Sequence, residues 1–162
     1  GFTADHAIRL GRKLEEFDLT WFEEPVAPYD HRGSAKVAAA LDTPIASGET
    51  EATRYGFREM LAHGAADIWM ADLARVGGVS EFVKVAHLAA AHDIAISNHL
   101  FTEQSIGLLG AFANATWLEY MPWTSKLYRE QIAVEDGHIA VPDRPGLGFT
   151  FDPDAIERYR VR

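Results

Sequence analysis

The 162-residue chain contains no cysteine, which excludes disulfide bonds, zinc–thiolate sites and a cysteine nucleophile. It also lacks any apolar run near the ~18 residues of a membrane span, and its amphipathic start is unlike a signal peptide. We therefore expect a cytoplasmic protein with no membrane partner. Basic residues are few: 15 of them against 24 acidic residues give a net charge of −9, which argues against a nucleic-acid partner.

What the sequence does contain is a recurring pattern, an apolar run that ends on an acid or a histidine. It begins with LTWFEEP, where Leu19, Trp21 and Phe22 supply the apolar content of a strand. Glu23 and Glu24 follow, and Pro25 cannot extend a strand ladder. The same plan returns every 20 to 27 residues in PIASGE, ADIWMAD, IAISNH and TWLE, which end on Glu49, Asp72, His99 and Glu119. Helical patterns fill the intervals, so the sequence predicts five βα units.

Five βα units that aim polar groups at one rim predict part of a TIM-type (β/α) barrel, which keeps its active site at that rim. A closed barrel typically takes ~250 residues, so we expect the chain to be the C-terminal part of a longer protein. Residues 1–130 are predicted to form the barrel portion. Residues 131–162 form a separate tail, with a hairpin around Asp136-Gly137.

Turn and cap residues predict where several helices begin and end. Gly64 is placed to end a helix over Thr53–His63, and Ser80 to cap a helix that runs to about His92. A helix that is apolar on most sides is predicted over Glu103–Asn114.

The acids at the ends of the first two strands are candidate metal ligands. Glu23 and Glu49 can share a hard divalent cation such as Mg²⁺, which prefers oxygen ligands. The alternative is that they are solvated strand-end acids. Glu24 is the weaker candidate, because alternation along the strand points its side chain opposite to that of Glu23.

The next three strand ends suggest acid–base chemistry. Asp72 can orient His99 and raise its basicity. The alternative is that Asp72 caps a helix and that His99 is an unrelated histidine at the rim. Glu119 follows apolar residues, and a carboxyl in such a setting can donate a hydrogen bond to an anionic intermediate; an ordinary rim acid is the alternative. Arg75, Asn98 and Glu24 are weaker candidates for binding substrate. Arg75 could clamp a substrate carboxylate, and the favoured alternative is an ion pair with a neighbouring acid.

Taken together, these motifs resemble a known family. The resemblance is to the barrel of the enolase superfamily, in the subgroup of mandelate racemase and the acid-sugar dehydratases, and it is carried by WFEEP, SGE, D-x-x-R-x-G-G, SNHL and WLE. It implies that Glu23 and Glu49 are the second and third Mg²⁺ ligands. It further implies that His99, oriented by Asp72, is a general acid or base, and that Glu119 hydrogen-bonds the enolate oxygen.

The same resemblance places other parts of the site outside the chain. The first metal ligand would lie just before Gly1, and a Lys-x-Lys base and a capping domain lie further upstream. The tail over residues 131–162 would run toward that capping domain. We therefore expect the 162-residue chain to be inactive by itself.

The implied reaction is abstraction of the proton α to the carboxylate of a small molecule. Within it we favour dehydration of an acid sugar, with His99 protonating the departing β-hydroxyl. The alternatives are racemisation or epimerisation of a 2-hydroxy acid, and a non-catalytic barrel fragment. His99 argues against the cycloisomerases of the superfamily, which rely on lysines. Members of the family are commonly homo-oligomers, so we expect one here.

Overall fold

The computed structural model describes residues 1–161, which form an N-terminal helix, five strands joined by four helices, then a hairpin and a short helix. The helices are α1 Ala4–Leu14, α2 His31–Ala38, α3 Thr53–His63, α4 Val79–Ala90, α5 Thr102–Leu109 and α6 Pro153–Tyr159. The strands are β1 Phe22–Glu23, β2 Ile45–Ser47, β3 Ile68–Asp72, β4 Ala95–His99, β5 Ala115–Trp117, β6 Val134–Glu135 and β7 His138–Ile139. No helix within residues 1–161 is long and apolar enough to cross a membrane.

Strands β1 to β5 form one parallel sheet in chain order, which confirms the predicted portion of a (β/α) barrel. The register sets Asp72 of β3 beside His99 of β4. At the other side of the sheet it sets Glu23 of β1 beside Ala46 of β2. Because paired residues of parallel strands point to the same face, the register decides which strand-end side chains can meet.

The helices cover one face of this sheet. Trp69 and Ala71 of β3 lie in a buried apolar cluster with Phe57 of α3 and Phe82 of α4. A smaller cluster joins α1 and α2 to β2, and its buried members are Ala7, Val26, Val37, Leu41 and Ile45. Since side chains alternate along a strand, Asp72 faces away from the helices.

The helix-free face is strongly concave. Trp21, just before β1, and Trp117 of β5 lie at opposite edges of the sheet, yet their ring centroids are 6.1 Å apart. In a flat sheet, four strand spacings of about 4.8 Å would hold the two edges about 19 Å apart. The sheet therefore curls around its helix-free face, as a section of barrel wall does.

The ends of α3 and the start of α4 test the cap predictions. Helix α3 spans Thr53–His63 as predicted, and Gly64 ends it with a φ of 64°, a left-handed conformation that suits glycine. The prediction that Ser80 caps α4 is wrong. The helix already begins at Val79 and its N-cap is Gly78, which has no side chain to cap with.

Helix α5 and strand β5 are shorter than predicted. The helix ends at Leu109 rather than Asn114, with Gly110 as its C-cap. The tail packs closely there, since a Cβ at Gly110 would come within 2.6 Å of Val141 Cγ2. Strand β5 ends at Trp117, so Glu119 lies beyond the strand rather than at its end.

The tail forms the predicted hairpin, β6–β7, and folds back on the segment just before it. The N–H of Arg129 donates to Thr150 O at 2.9 Å, and Tyr128 stacks on Phe151 with ring centroids 4.8 Å apart. Asp152 caps α6 from its side chain. The tail is described up to residue 161, and its approach to a capping domain stays a prediction.

Glu130 binds the part of the tail that follows the hairpin, through Arg144 and Thr150. Its carboxylate accepts from the N–H of Thr150 at 2.6 Å, from the Thr150 hydroxyl at 3.0 Å, and from Arg144. The Thr150 N–H, followed by the Arg144 guanidinium, lowers the pKa of Glu130 from 4.5 to about 2. The ionised carboxylate is therefore the form that the folded tail selects.

This lowered pKa predicts a pH-dependent contribution to stability. A carboxyl whose pKa is lower in the folded state stabilises the fold above its unfolded value of 4.5, and this contribution is lost as the pH falls through about 2. We expect Glu130→Gln to lower the urea midpoint at neutral pH, and the difference from wild type to shrink as the pH approaches 2. Glu135→Gln, which removes an exposed acid of β6, is the control. A difference that does not change with pH would contradict the assignment.

Candidate active site

Asp72 ends β3 and is fixed by the turn that follows it. Its Oδ1 accepts from the backbone N–H groups of Ala74 and Arg75, both at 2.8 Å, and the residue is 2% exposed. Gly77 and Gly78, with φ values of 105° and 87°, then carry the chain into α4. With Oδ1 occupied by two backbone donors, Oδ2 is left for a partner on the next strand.

That partner is His99 at the end of β4. Its Nδ1 donates to Asp72 Oδ2 at 2.8 Å, and its Nε2 lies 3.2 Å from Glu49 Oε2. The His99 side chain is 12% exposed, and that of Glu49 is 27% exposed. The predicted Asp72–His99 pair therefore forms, and it continues to Glu49 in a line of three side chains from three neighbouring strands.

Glu49 reaches this line only because of the glycine before it. Alternation from Ala46 along β2 would turn residue 49 toward the helices. Gly48, with a φ of 127°, redirects the chain, and the Glu49 side chain instead meets His99. Arg75 then holds it from the other side, since Arg75 Nη1 lies 3.1 Å from Glu49 Oε1 and 3.2 Å from its carbonyl oxygen. Arg75 thus makes the ion pair that the sequence allowed as its alternative role.

The two acids at the end of β1 diverge. Glu23 is exposed on the concave face and its Oε2 accepts from Trp21 Nε1 at 3.2 Å. Glu24 leans over the end of β2, where its Oε1 accepts from the Ser47 hydroxyl at 3.2 Å. Burial, and next the negative charge of Glu49, raise the pKa of Glu24. Negative charge is therefore concentrated at the ends of β1 and β2.

Glu119 and Asn98 lie beside His99 but are oriented differently from it. Glu119 is half-buried and its Oε2 accepts from the N–H of Leu100, the residue after His99. Asn98 pairs in register with Ala71, so it faces the helix side, where it is fully buried. Its amide bonds only backbone groups, and we therefore do not retain it as a substrate-binding residue.

The side chains at the ends of β1 and β2 carry the oxygen donors that a hard cation prefers. Mg²⁺ commonly takes one or two carboxylates from a protein and completes its coordination with water and substrate. Glu23 and Glu49 offer such oxygens. Burial, and next the negative charge of Glu49, raise the pKa of Glu24, and a cation would offset the second of these causes. Within residues 1–161, no group of three or more histidine or acidic side chains is placed to hold a metal ion. The chain thus offers a pair of carboxylates rather than a complete cage.

Comparison with known proteins agrees with this arrangement. Residues 1–155 match the family described as enolase C-terminal domain-like. The chain belongs to this family. Family membership confirms the resemblance drawn from the motifs, and it agrees with the curled parallel sheet.

Two relatives of the chain in the enolase C-terminal domain-like family are acid-sugar dehydratases. An L-talarate/galactarate dehydratase of Salmonella typhimurium is 42% identical over 149 residues, covering 92% of this chain and 37% of that protein. The crystal structure of an L-talarate dehydratase from Polaromonas, complexed with Mg and L-glucarate, superposes with a TM-score of 0.91 at 37% identity, over 96% of this chain and 44% of that one. The chain therefore spans less than half the length of these relatives.

The family also contains relatives of another reaction class. A D-galactarolactone cycloisomerase of Agrobacterium fabrum is 34% identical over 178 residues, covering 99% of this chain and 47% of that protein. The expectation that His99 argues against cycloisomerases is weakened by this similarity, because a cycloisomerase matches almost the whole chain.

Three contributors to the site were missed in the sequence. Trp21 donates to Glu23, Ser47 donates to Glu24, and Gly48 redirects Glu49. Only the glycine carried a usable signal, because a glycine at a strand end favours an unusual backbone angle. The tryptophan and the serine look like ordinary strand residues until the sheet brings their partners close.

Gly48→Ala should be more destabilising than a glycine substitution without a clash. At Gly48 the φ is 127° and a Cβ would lie 2.9 Å from Phe57 Cε1. Strain and overpacking together predict a loss of about 3 kcal/mol in the free energy of unfolding. At Gly64, where φ is 64° and nothing lies within 4 Å, we expect about 1 kcal/mol from backbone strain alone. Urea unfolding of both variants checks this order, and equal losses would remove the contact with Phe57 as a cause.

Proposed function

We propose that the chain is the catalytic barrel portion of an Mg²⁺-dependent enzyme that dehydrates an acid sugar. One observation carries the proposal: Asp72, His99 and Glu49 form a continuous line at the ends of three neighbouring strands. A carboxylate that fixes an imidazole is an arrangement for proton transfer, and a second carboxylate beside it suits a cation. Proton transfer and charge neutralisation are the two needs of α-proton abstraction.

His99 is the residue to which we assign a proton transfer. The bond to Asp72 holds one proton on Nδ1, and when His99 acts as the acid it is the imidazolium, whose second proton is on Nε2 and passes to the substrate. A base supplied from upstream of this chain takes the proton α to the carboxylate. The C–O bond at the β-carbon then breaks, and the hydroxyl takes a proton from Nε2 and leaves as water. The remaining enol tautomerises to a 2-keto acid.

Glu23 and Glu49 would hold the cation. When bound, Mg²⁺ supplies positive charge next to the substrate carboxylate and so lowers the cost of the negative charge that develops there. Arg75 keeps Glu49 turned toward His99 through its ion pair. Glu119, which lies next to the residue after His99, is assigned to hydrogen-bond the oxygen of the developing enolate.

The comparisons support this choice of substrate class. The dehydratase relative acts, by its name, on talarate and galactarate, and the Polaromonas structure holds Mg and L-glucarate. They support a small-molecule carboxylate as the substrate. From the sequence we further propose a cytoplasmic location and a homo-oligomer. The natural full-length protein, with Mg²⁺ and a panel of acid sugars, should form a keto acid that semicarbazide detects. Exchange of solvent deuterium into recovered substrate without keto acid would favour a racemase instead.

Glu49→Gln tests the metal assignment. Replacing the carboxylate by a neutral amide removes one negative oxygen ligand, so we expect Mg²⁺ affinity in the natural full-length protein to fall by about tenfold or more, measured by calorimetry. Glu135→Gln is the control for the loss of a charge. An unchanged affinity would remove Glu49 from the ligand set.

His99→Asn tests the proton transfer. Loss of a general acid–base group typically lowers turnover by about 10²- to 10⁴-fold, while Mg²⁺ binding should remain. His92→Asn, in the exposed turn after α4, is the matched control. Turnover close to that of wild type would remove His99 from the mechanism.

A further inference from the structure

Asn98 is fully buried next to His99, and its amide group joins two chain segments. Its Oδ1 accepts from the N–H of Glu119 at 2.8 Å. Its Nδ2 donates to Leu100 O at 2.7 Å and to Glu119 O at 3.4 Å. One side chain therefore connects the segment that follows His99 to the segment that carries Glu119.

This connection begins where the sheet stops. Strand β5 ends at Trp117, and its register against β4 already shifts between Ile96 and Ser97. The backbone ladder therefore does not extend to Glu119. The Asn98 amide offers Glu119 one acceptor and one donor, which are the groups that a neighbouring strand would have offered.

Thr102, at the start of α5, binds the same segment from a second direction. Its hydroxyl donates to Glu119 O at 2.9 Å and accepts from the N–H of Met121 at 3.1 Å, and the residue is fully buried. Both backbone groups of Glu119 are thus held by side chains from the His99 side of the site.

The turn after His99 adopts a conformation that needs such support. Leu100 and Phe101 have φ values of 51° and 48°, in the left-handed region that non-glycine residues seldom adopt. Asn98 holds the carbonyl of Leu100, and the Glu119 carboxylate holds its N–H. The strained turn and the Glu119 segment therefore stabilise each other through Asn98.

We propose that Asn98 is a positioning residue that, together with Thr102, sets the Glu119 carboxyl relative to the His99 imidazole. The inference rests on the proposed function, in which these two groups act on one substrate. Asn98 touches neither the substrate side of the sheet nor the metal-binding carboxylates. Its loss should misplace Glu119 in the transition state while leaving the binding of substrate and Mg²⁺ in place.

Asn98→Ala in the natural full-length protein is the test, with Asn114→Ala as its matched control. Asn114 Nδ2 donates to two backbone carbonyls, Ala86 O at 3.3 Å and Ile94 O at 3.0 Å, at the opposite end of β4. A misplacement near 1 Å costs about 100-fold in rate, so we expect Asn98→Ala to lower kcat about 100-fold with little change in KM. Asn114→Ala should leave kcat within about threefold of wild type.

Hydrogen exchange of the Glu119 amide gives a readout that does not depend on turnover. We expect this N–H to exchange about tenfold faster or more in Asn98→Ala and to be unchanged in Asn114→Ala. Thr102→Val, which removes only the hydroxyl contacts to Glu119 and Met121, provides a second variant if Asn98→Ala does not fold. It too should lower kcat more than KM.

The outcomes separate the inference from the proposed function. Asn98→Ala and Thr102→Val with wild-type kcat, or an Asn114→Ala variant that loses as much kcat, would overturn the positioning role. A wild-type protein that dehydrates no acid sugar would overturn the proposed function. In that event, faster exchange of the Glu119 amide in Asn98→Ala alone would still establish that Asn98 holds the Glu119 segment, and unchanged exchange would overturn this.

Discussion

The hydrogen bond between Asp72 and His99 depends on the parallel register of β3 and β4, and the rest of the site is arranged around it. Register places the two residues side by side on the concave face. The backbone donors of the β3–α4 turn then fix one carboxylate oxygen, so the other can only face the imidazole. A shift of one residue in either strand would send one partner to the helix side, and the pair would be lost.

The turns after the strands decide how far the remaining side chains reach. Glu49 would belong to the helix side by alternation, and Gly48 redirects it to the concave face. Arg75 links the turns after β2 and β3, because its backbone N–H donates to Asp72 and its guanidinium donates to Glu49. Both carboxylates therefore depend on the same short segment after β3, and the positions of the acid–base pair and of the proposed metal ligand are coupled.

Electrostatics explains why so acidic a site suits a cation. Glu23, Glu24 and Glu49 lie at the ends of two strands, and burial, followed by the negative charges of Glu49 and Glu23, raises the pKa of Glu24. An arginine offsets part of it at Glu49. A divalent cation held by Glu23 and Glu49, as proposed, would offset more, and it would supply positive charge to the carboxylate of the proposed substrate.

The sequence by itself determined the βα recurrence, the concave-face positions of Glu23, Asp72 and His99, and the hairpin, because strand alternation and turn chemistry are local properties. Only the tertiary structure decided the rest. The orientation of Glu49 depends on one backbone angle, and the role of Asn98 depends on a segment far along the chain. The close packing of the tail on Gly110, where α5 ends, is a contact between segments that are distant in sequence. Local patterns could not supply the role of Asn98, because it arises from contacts between segments that are distant in sequence, and the glycine before Glu49 signals an unusual backbone angle without fixing its value.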